Sequence, residues 1–217
     1  MYRSSVDVRA SYASVLYNLG TVLILHPSNL SYPGCWAYAD MLQVGCQHGP
    51  GGAADPGLSI EETRTHFAAW AIVSSPLTLS HDVNNATVTA QVWDIISNTE
   101  VLAVNQAYFG DSGGRFGESE VSLEFTDAFI ERSNGVHARV AAPEWQLLYK
   151  PVGAGKVAVL AMNSQEAPTT LNVHFDAVPG ASVFTRSLVS LWCGLCVCGG
   201  VASCVSGLRW CLPIGIR

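Results

Sequence analysis

Two neighbouring stretches decide how this chain folds: Gly34-Cys35-Trp36-Ala37-Tyr38-Ala39-Asp40-Met41-Leu42-Gln43-Val44-Gly45, and Gly57-Leu58-Ser59-Ile60-Glu61-Glu62-Thr63-Arg64-Thr65-His66-Phe67 after a glycine-rich loop. Cys35 to Val44 is a short apolar and aromatic run that reads as a buried strand, interrupted in polarity by Asp40. Ser59 to Glu62 forms a capping box, in which the serine accepts from the N3 amide while Glu62 reaches back. The helix it opens sets Ile60, Phe67, Trp70, Ala71 and Val73 on or near one face.

Upstream, Tyr12, Val15, Leu16 and Leu19 recur at helical spacing, and Gly20 reads as a C-terminal stop. A turn-rich loop follows, from His26 to Gly34. Downstream, Pro76 to Ser80 reads as another buried strand ending at His81-Asp82. Asn84 or Asn85 caps a third helix with Val88, Val92, Ile95 and Ile96 inward. Strand and helix alternating in this order is the pattern of a parallel sheet, whose strand ends, here Asp40 and Asp82, carry the chemistry.

From about Gly110 the texture changes. Gly113-Gly114 and small polar residues read as a linker, and Trp145–Tyr149, Lys156–Met162 and Thr170–Phe175 read as short antiparallel strands of a sandwich. The expected organisation is an α/β part over 1–110, a β part over 111–186 and a Cys/Gly-rich tail over 187–217 that does not continue the strand pattern.

The 217 residues carry a net charge of -6 with no cluster of Lys and Arg, which excludes a nucleic-acid partner. Cys193, Cys196, Cys198, Cys204 and Cys211 crowd the tail, but no second CxxC pair or histidine follows them, so a metal site is not expected. The uncharged run Ser187–Leu208 is long enough to span a bilayer, yet its Gly, Ser and Cys content makes a membrane anchor the weaker reading. Met1 leads into polar residues with no signal-peptide h-region, while Asn29-Leu30-Ser31 and Asn85-Ala86-Thr87 are glycosylation sequons. Together these read as an internal stretch of a longer secretory protein. Among the acidic residues, Asp7 and Asp40 stand out because each lies beside an apolar or aromatic segment at a strand end. Trp36 or Tyr38 beside Asp40 could be a platform for a sugar's apolar face or part of the core.

The first stretch resembles the G-x-W-x-x-P-D-M-L-x-x-G signature of glycoside hydrolase family 27, the α-galactosidases and their relatives. The second is similar to the family's next helix, G-L-S-x-x-E-x-R-x-H-F-x-x-W-A. Ser75–Asp82 resembles its last barrel strand, and Val101-Leu-Ala-Val-Asn105-Gln106 the E-V-I-A-V-N-Q segment after its last helix. Tyr2-Arg3-Ser-Ser-Val-Asp7-Val8 falls where the family has W-R-x-x-x-D-I.

The resemblance implies the C-terminal part of a TIM (β/α)8 barrel followed by a truncated antiparallel β-sandwich. It implies a retaining glycosidase acting on terminal α-D-galactosyl residues, with no cofactor. Asp7 is then the general acid/base, Arg3 contacts the same site, and Asp40 and Met41 line the sugar subsite; Trp36 is expected to pack. A guanidinium beside Asp7 lowers its pKa, so burial and a second carboxylate must counter it. Ala39 replaces the family's proline, and the Trp-Ala-Tyr variant is similar to a plant-type branch that includes β-L-arabinopyranosidases, the alternative activity. No segment resembles the K-x-D-x-C nucleophile motif, and a retaining mechanism needs two carboxyl groups. The chain by itself is therefore expected to be inactive and poorly stable. A reading of another class is a non-catalytic sugar-binding or structural fragment. The expected route is secretory or vacuolar-lysosomal.

Overall fold

The computed structural model describes residues 1–49, 52–131, 137–180, 190–192, 195–197 and 202–206. It opens with strand β1 (Tyr2–Arg3), helix α1 (Tyr12–Leu23), strand β2 (Ala37–Tyr38), and helices α2 (Ile60–Ile72), α3 (Ala86–Ile96) and α4 (Thr99–Gln106). β1 pairs in parallel with β2, Tyr2 opposite Ala37 and Arg3 opposite Tyr38. A further parallel bridge joins Leu42 to Leu79, where the Leu42 amide donates to the Thr78 carbonyl at 2.8 Å. Parallel strand segments separated by helices give the α/β part expected from the alternation of patterns.

Each helix begins where its cap residue stands. Ser11 Oγ accepts from the Ser14 amide, Asn85 Oδ1 from Val88, and Asn98 Oδ1 from both Glu100 and Val101. The Ser59–Glu62 capping box is fully formed. These caps satisfy amides that a helix start leaves without partners.

Several sequence expectations change, among them the strand expected over residues 76–80, which forms only the isolated bridge at Leu79. Gly20 does not stop α1, which continues to Leu23 because Val22 and Leu23 bury their side chains in the core. The Cys35–Val44 run is a strand only at Ala37–Tyr38, since Asp40 turns into the left-handed region at φ 78° and breaks the extended backbone. Gly114 belongs to a strand rather than to a linker.

The second part is antiparallel: β3 (Gly114–Glu118), β4 (Ser122–Glu131), β5 (His137–Pro143), β6 (Trp145–Gly153), β7 (Lys156–Asn163), β8 (Thr169–Val173), β9 (Ser190–Trp192), β10 (Leu195–Val197) and β11 (Ala202–Ser206). One sheet runs β3-β6-β7-β10-β9; β4 pairs with β5, and β8 with β11. The strands β9 to β11 are a correction, because the tail does continue the strand pattern there: β10 pairs with β7 and β9, and β11 with β8. Of the tail cysteines, Cys193, Cys198 and Cys211 lie outside the described residues, as does half of the uncharged 187–208 run, so the expectations about a metal site and a membrane anchor there fall largely outside them. Among the described residues no helix is long and apolar enough to cross a membrane.

Alternation along β6 and β7 gives their sheet two apolar faces. Leu148, Ala158, Leu160 and Met162 join a core with Trp70, Phe67, Ile72 and Leu19 of the helices. Leu147, Tyr149, Val157 and Val159 face the other way and pack with Leu171 and Val173. Lys150, on the helix-facing side, is wholly buried; its Nζ donates to the carbonyls of Val104 and Asn105 at 2.6 and 2.9 Å. It thereby satisfies acceptors that the C-terminus of α4 leaves unpaired.

Candidate active site

Parallel pairing places the ends of β1 and β2 side by side, and the chain leaving each end carries a carboxylate. Arg3 Nη2 donates to Asp7 Oδ1 at 2.5 Å and to Asp40 Oδ2 at 3.0 Å, so one guanidinium bridges residues 33 positions apart. Asp40 Oδ2 also accepts from the Val8 amide at 2.9 Å. Asp7 is open to solvent, with 71% of its side chain exposed, whereas Asp40 retains 14%. The hydrogen bond and charge of Arg3 hold the Asp7 carboxyl below the usual carboxylate range and push the guanidinium up. Asp7 therefore rests as a carboxylate beside a fixed cation.

The backbone at Asp40 is held from several sides. A positive φ is strained for any residue with a Cβ, though the short polar side chain of Asp tolerates it better than most. Trp70 Nε1 donates to the Asp40 carbonyl at 2.8 Å, and the Ala39 amide donates to Ser75 Oγ at 3.2 Å. One turn earlier on α2, His66 Nε2 accepts from the Gln43 amide at 2.9 Å, and the two rings meet edge to face at 4.1 Å. Positions 66 and 70 are i and i+4, which places both on one helix face. Complete burial pushes His66 down to about 3, so the imidazole is neutral and Nε2 is free to accept.

Asn18, on the apolar stripe of α1 between Val15 and Leu19, is fully buried. Its Nδ2 donates to the carbonyls of Val6 and Ala39, at 3.0 and 3.1 Å. The sequence pattern offered one signal for it, a polar residue inside an apolar stripe, and the sequence reading passed it over.

The structure thus brings Arg3, Asp7 and Asp40 together. Met41 follows Asp40 with 40% of its surface exposed. Trp36 lies edge-on to Tyr108, ring centroids 5.6 Å apart. Asp82 is outside the cluster: its Oδ1 accepts from the Asn84 amide in a local turn. Asn105 Nδ2 donates to the Ser75 carbonyl at 2.9 Å, tying the end of α4 to the residue that supports Ala39. Cys35 and Cys46 are free thiols, the latter with Sγ 3.4 Å from Ser80 Oγ. No group of three or more potential metal ligands occurs among the described residues.

Two carboxylates and an arginine thus meet at the ends of paired parallel strands, with helices behind them. Residues 1–107 match the family model described as alpha galactosidase A. The chain belongs to this α-galactosidase family, glycoside hydrolase family 27. An α-galactosidase of Cyamopsis tetragonoloba is 38% identical over 159 residues, covering 72% of this chain and 30% of that protein. Alpha-galactosidase 3 of Arabidopsis thaliana is 26% identical over 194 residues, covering 88% of this chain and 36% of that protein. The chain therefore spans about a third of the length of these curated relatives. In fold it is similar to a family 27 β-L-arabinopyranosidase from Geobacillus stearothermophilus in complex with arabinose, with a TM-score of 0.65 at 20% identity, covering 95% of this chain and 43% of that one.

Proposed function

We propose that this chain carries the acid/base half of a retaining α-galactosidase site, with Asp7 as general acid/base, Arg3 beside it, and Asp40 and Met41 at the sugar subsite. The observation behind this reading is the bridge of Arg3 between Asp7 and Asp40 at adjacent strand ends. In this reading β1, β2 and the Leu79 segment are the last strands of a (β/α)8 barrel, and the antiparallel sheets are a C-terminal sandwich over roughly 111–186 with the tail appended.

The chemistry follows from the geometry. A retaining glycosidase needs one carboxyl group that attacks the anomeric carbon and one that protonates the departing oxygen and later activates water. Asp7 is exposed, so its carboxyl can meet a glycosidic oxygen directly. Arg3 keeps it ionised, the form that activates water; donating a proton requires that its pKa rise. A bound sugar that excludes water and a second carboxylate nearby both act in that direction. The second carboxylate is the nucleophile, for which no segment of this chain matches the family motif. Asp40 Oδ2 is occupied by Arg3 and Val8, while Oδ1 has no hydrogen bond among the described residues and is placed to accept from a sugar hydroxyl.

Galactose and L-arabinopyranose share ring stereochemistry apart from the hydroxymethyl group, so one subsite of this kind accommodates either. The Trp36-Ala37-Tyr38 variant and the fold likeness to an arabinopyranosidase support the second substrate as an alternative. The exposed sequon asparagines Asn29 and Asn85 fit a secretory route.

The test titrates the 217-residue chain with D-galactose, L-arabinose and D-glucose while following backbone amides by NMR. Shifts at Val8 and Met41 with galactose or arabinose and not with glucose support the reading. Equal response to glucose, or none to any sugar, sinks it. With a nitrophenyl α-galactoside, the chain is expected to show no turnover above an Asp7→Asn control. Asp7-dependent turnover would mean that a nucleophile lies within these residues.

A further inference from the structure

We propose that Asn18 is a positioning residue, whose buried side-chain amide fixes where Asp7 and Asp40 stand by holding the carbonyl immediately before each; this rests on the reading of Asp7 as the acid/base. The Val6 carbonyl belongs to the peptide that enters Asp7, and the Ala39 carbonyl to the peptide that enters Asp40. One NH2 group has two hydrogens, and Asn18 Nδ2 gives one to each, at 3.0 and 3.1 Å.

The amide completes a closed circuit. From Asn18 it runs to Val6, through Asp7 to Val8, whose amide donates to Asp40 Oδ2 at 2.9 Å, then through Asp40 and Ala39 back to Asn18. The peptide entering Asp7 is therefore anchored to Asn18 of α1, and the peptide leaving it to the Asp40 side chain at the neighbouring strand end. Asp7 keeps its carboxyl in solvent while its backbone is held at both flanks. Asn18 is itself steadied, since its own carbonyl accepts from Thr21 Oγ1 at 2.7 Å.

The chemistry of the position leaves few substitutes. Both groups facing Nδ2 are acceptors, so the amide cannot be turned to present its oxygen. An apolar residue would leave the buried Ala39 carbonyl and the partly buried Val6 carbonyl without their donors, and aspartate would aim a carboxylate at them. Asn18 Oδ1 is buried with no hydrogen-bond partner among the described residues. That arrangement is unfavourable for an asparagine whose only task is to fill core volume, and is offset where its two donors are both used.

The experiment uses the 217-residue chain and its Asn18→Leu, Asn18→Asp and Val15→Ala variants. The Asp7 carboxyl is titrated by 13C NMR, the Val8 amide is followed with pH, and melting temperature is recorded. Asn18→Leu and Asn18→Asp are expected to move the Asp7 midpoint up toward 3.8, because the loop no longer presents the carboxylate squarely to Arg3. Val15→Ala, a buried change on the same helix, is expected to lower the melting temperature and leave the Asp7 midpoint in place. An Asn18 variant that folds with the wild-type midpoint, or a Val15→Ala variant that shifts it equally, overturns the proposal. Hydrogen exchange on the unsubstituted chain tests it even if the variants fail to fold: the Val8 amide is expected to be protected, and exchange as fast as a free loop amide overturns the circuit. No sugar enters these readings, so the absence of galactose binding would sink the functional proposal alone, whereas an unchanged Asp7 midpoint would sink this one alone.

Discussion

Arg3 and Asp40 meet across two parallel strands, Nη2 to Oδ2 at 3.0 Å, while the same Nη2 also holds Asp7. One guanidinium thus shares its charge between an exposed carboxylate and a largely buried one. Removing it separates their behaviour.

Arg3→Ala is expected to raise the Asp7 midpoint toward 3.8, read from its carboxyl 13C shift. The folded value of Asp7 is depressed, so whatever the ion pair contributes is present above the ordinary carboxylate value and disappears as pH falls through the lowered one. Arg3→Lys keeps a charge without the planar fork and should fall between the two. An Asp7 midpoint unchanged in Arg3→Ala would show that the pairing does not persist in solution.

Asp40→Asn preserves shape and removes the charge that the Val8 amide and Arg3 both address. A hydrogen bond to a charged group contributes about 1.5–3 kcal/mol, so with Asp40 accepting from a sugar hydroxyl as proposed, sugar affinity should fall by roughly 10- to 100-fold. Isothermal titration with galactose checks this.

His66 is neutral in the fold, with its pKa lowered to about 3 against 6.5 when exposed. Acid therefore protonates the unfolded chain first, and stability should fall as pH drops from about 6.5 toward 3, by an amount on the order of a few kcal/mol. His66→Gln retains an acceptor for the Gln43 amide and cannot titrate. Its melting temperature between pH 6.5 and 5 should be flatter than that of the unsubstituted chain, and parallel curves would count against a buried neutral imidazole.

Lys150 shows the opposite end of the scale, its pKa pushed down by burial to about 7. Below pH 7 both folded and unfolded forms carry the proton. From about 7 to 10.5 only the unfolded chain keeps it, so stability should rise with pH across that window. Lys150→Met should remove this slope. It should also leave the Val104 and Asn105 carbonyls without their donor, which costs about 1–3 kcal/mol at neutral pH. Chemical denaturation at pH 7 and pH 9.5 measures both effects.

Much of the α/β part was legible before any coordinates. Ser59 and Glu62 announce a helix start because a capping box is written in residues three apart. Val88, Val92 and Ile95 declare their buried face by the same short-range periodicity. The ordered motifs fixed Arg3, Asp7, Asp40 and Met41 as residues to examine. The antiparallel strands β3, β4 and β5 were missed, since glycines and charges within them mask the alternation.

The sequence by itself determined which residues could do chemistry and where helices begin, because those signals lie within a few positions along the chain. Only the tertiary structure decided that Arg3 spans two carboxylates, that Asp40 adopts a left-handed backbone, and that Asn18 reaches both strand ends. Those contacts depend on the register of β1 against β2 and on α1 packing behind them. Such geometry arises from burying a shared core among segments distant in sequence, which no local pattern encodes.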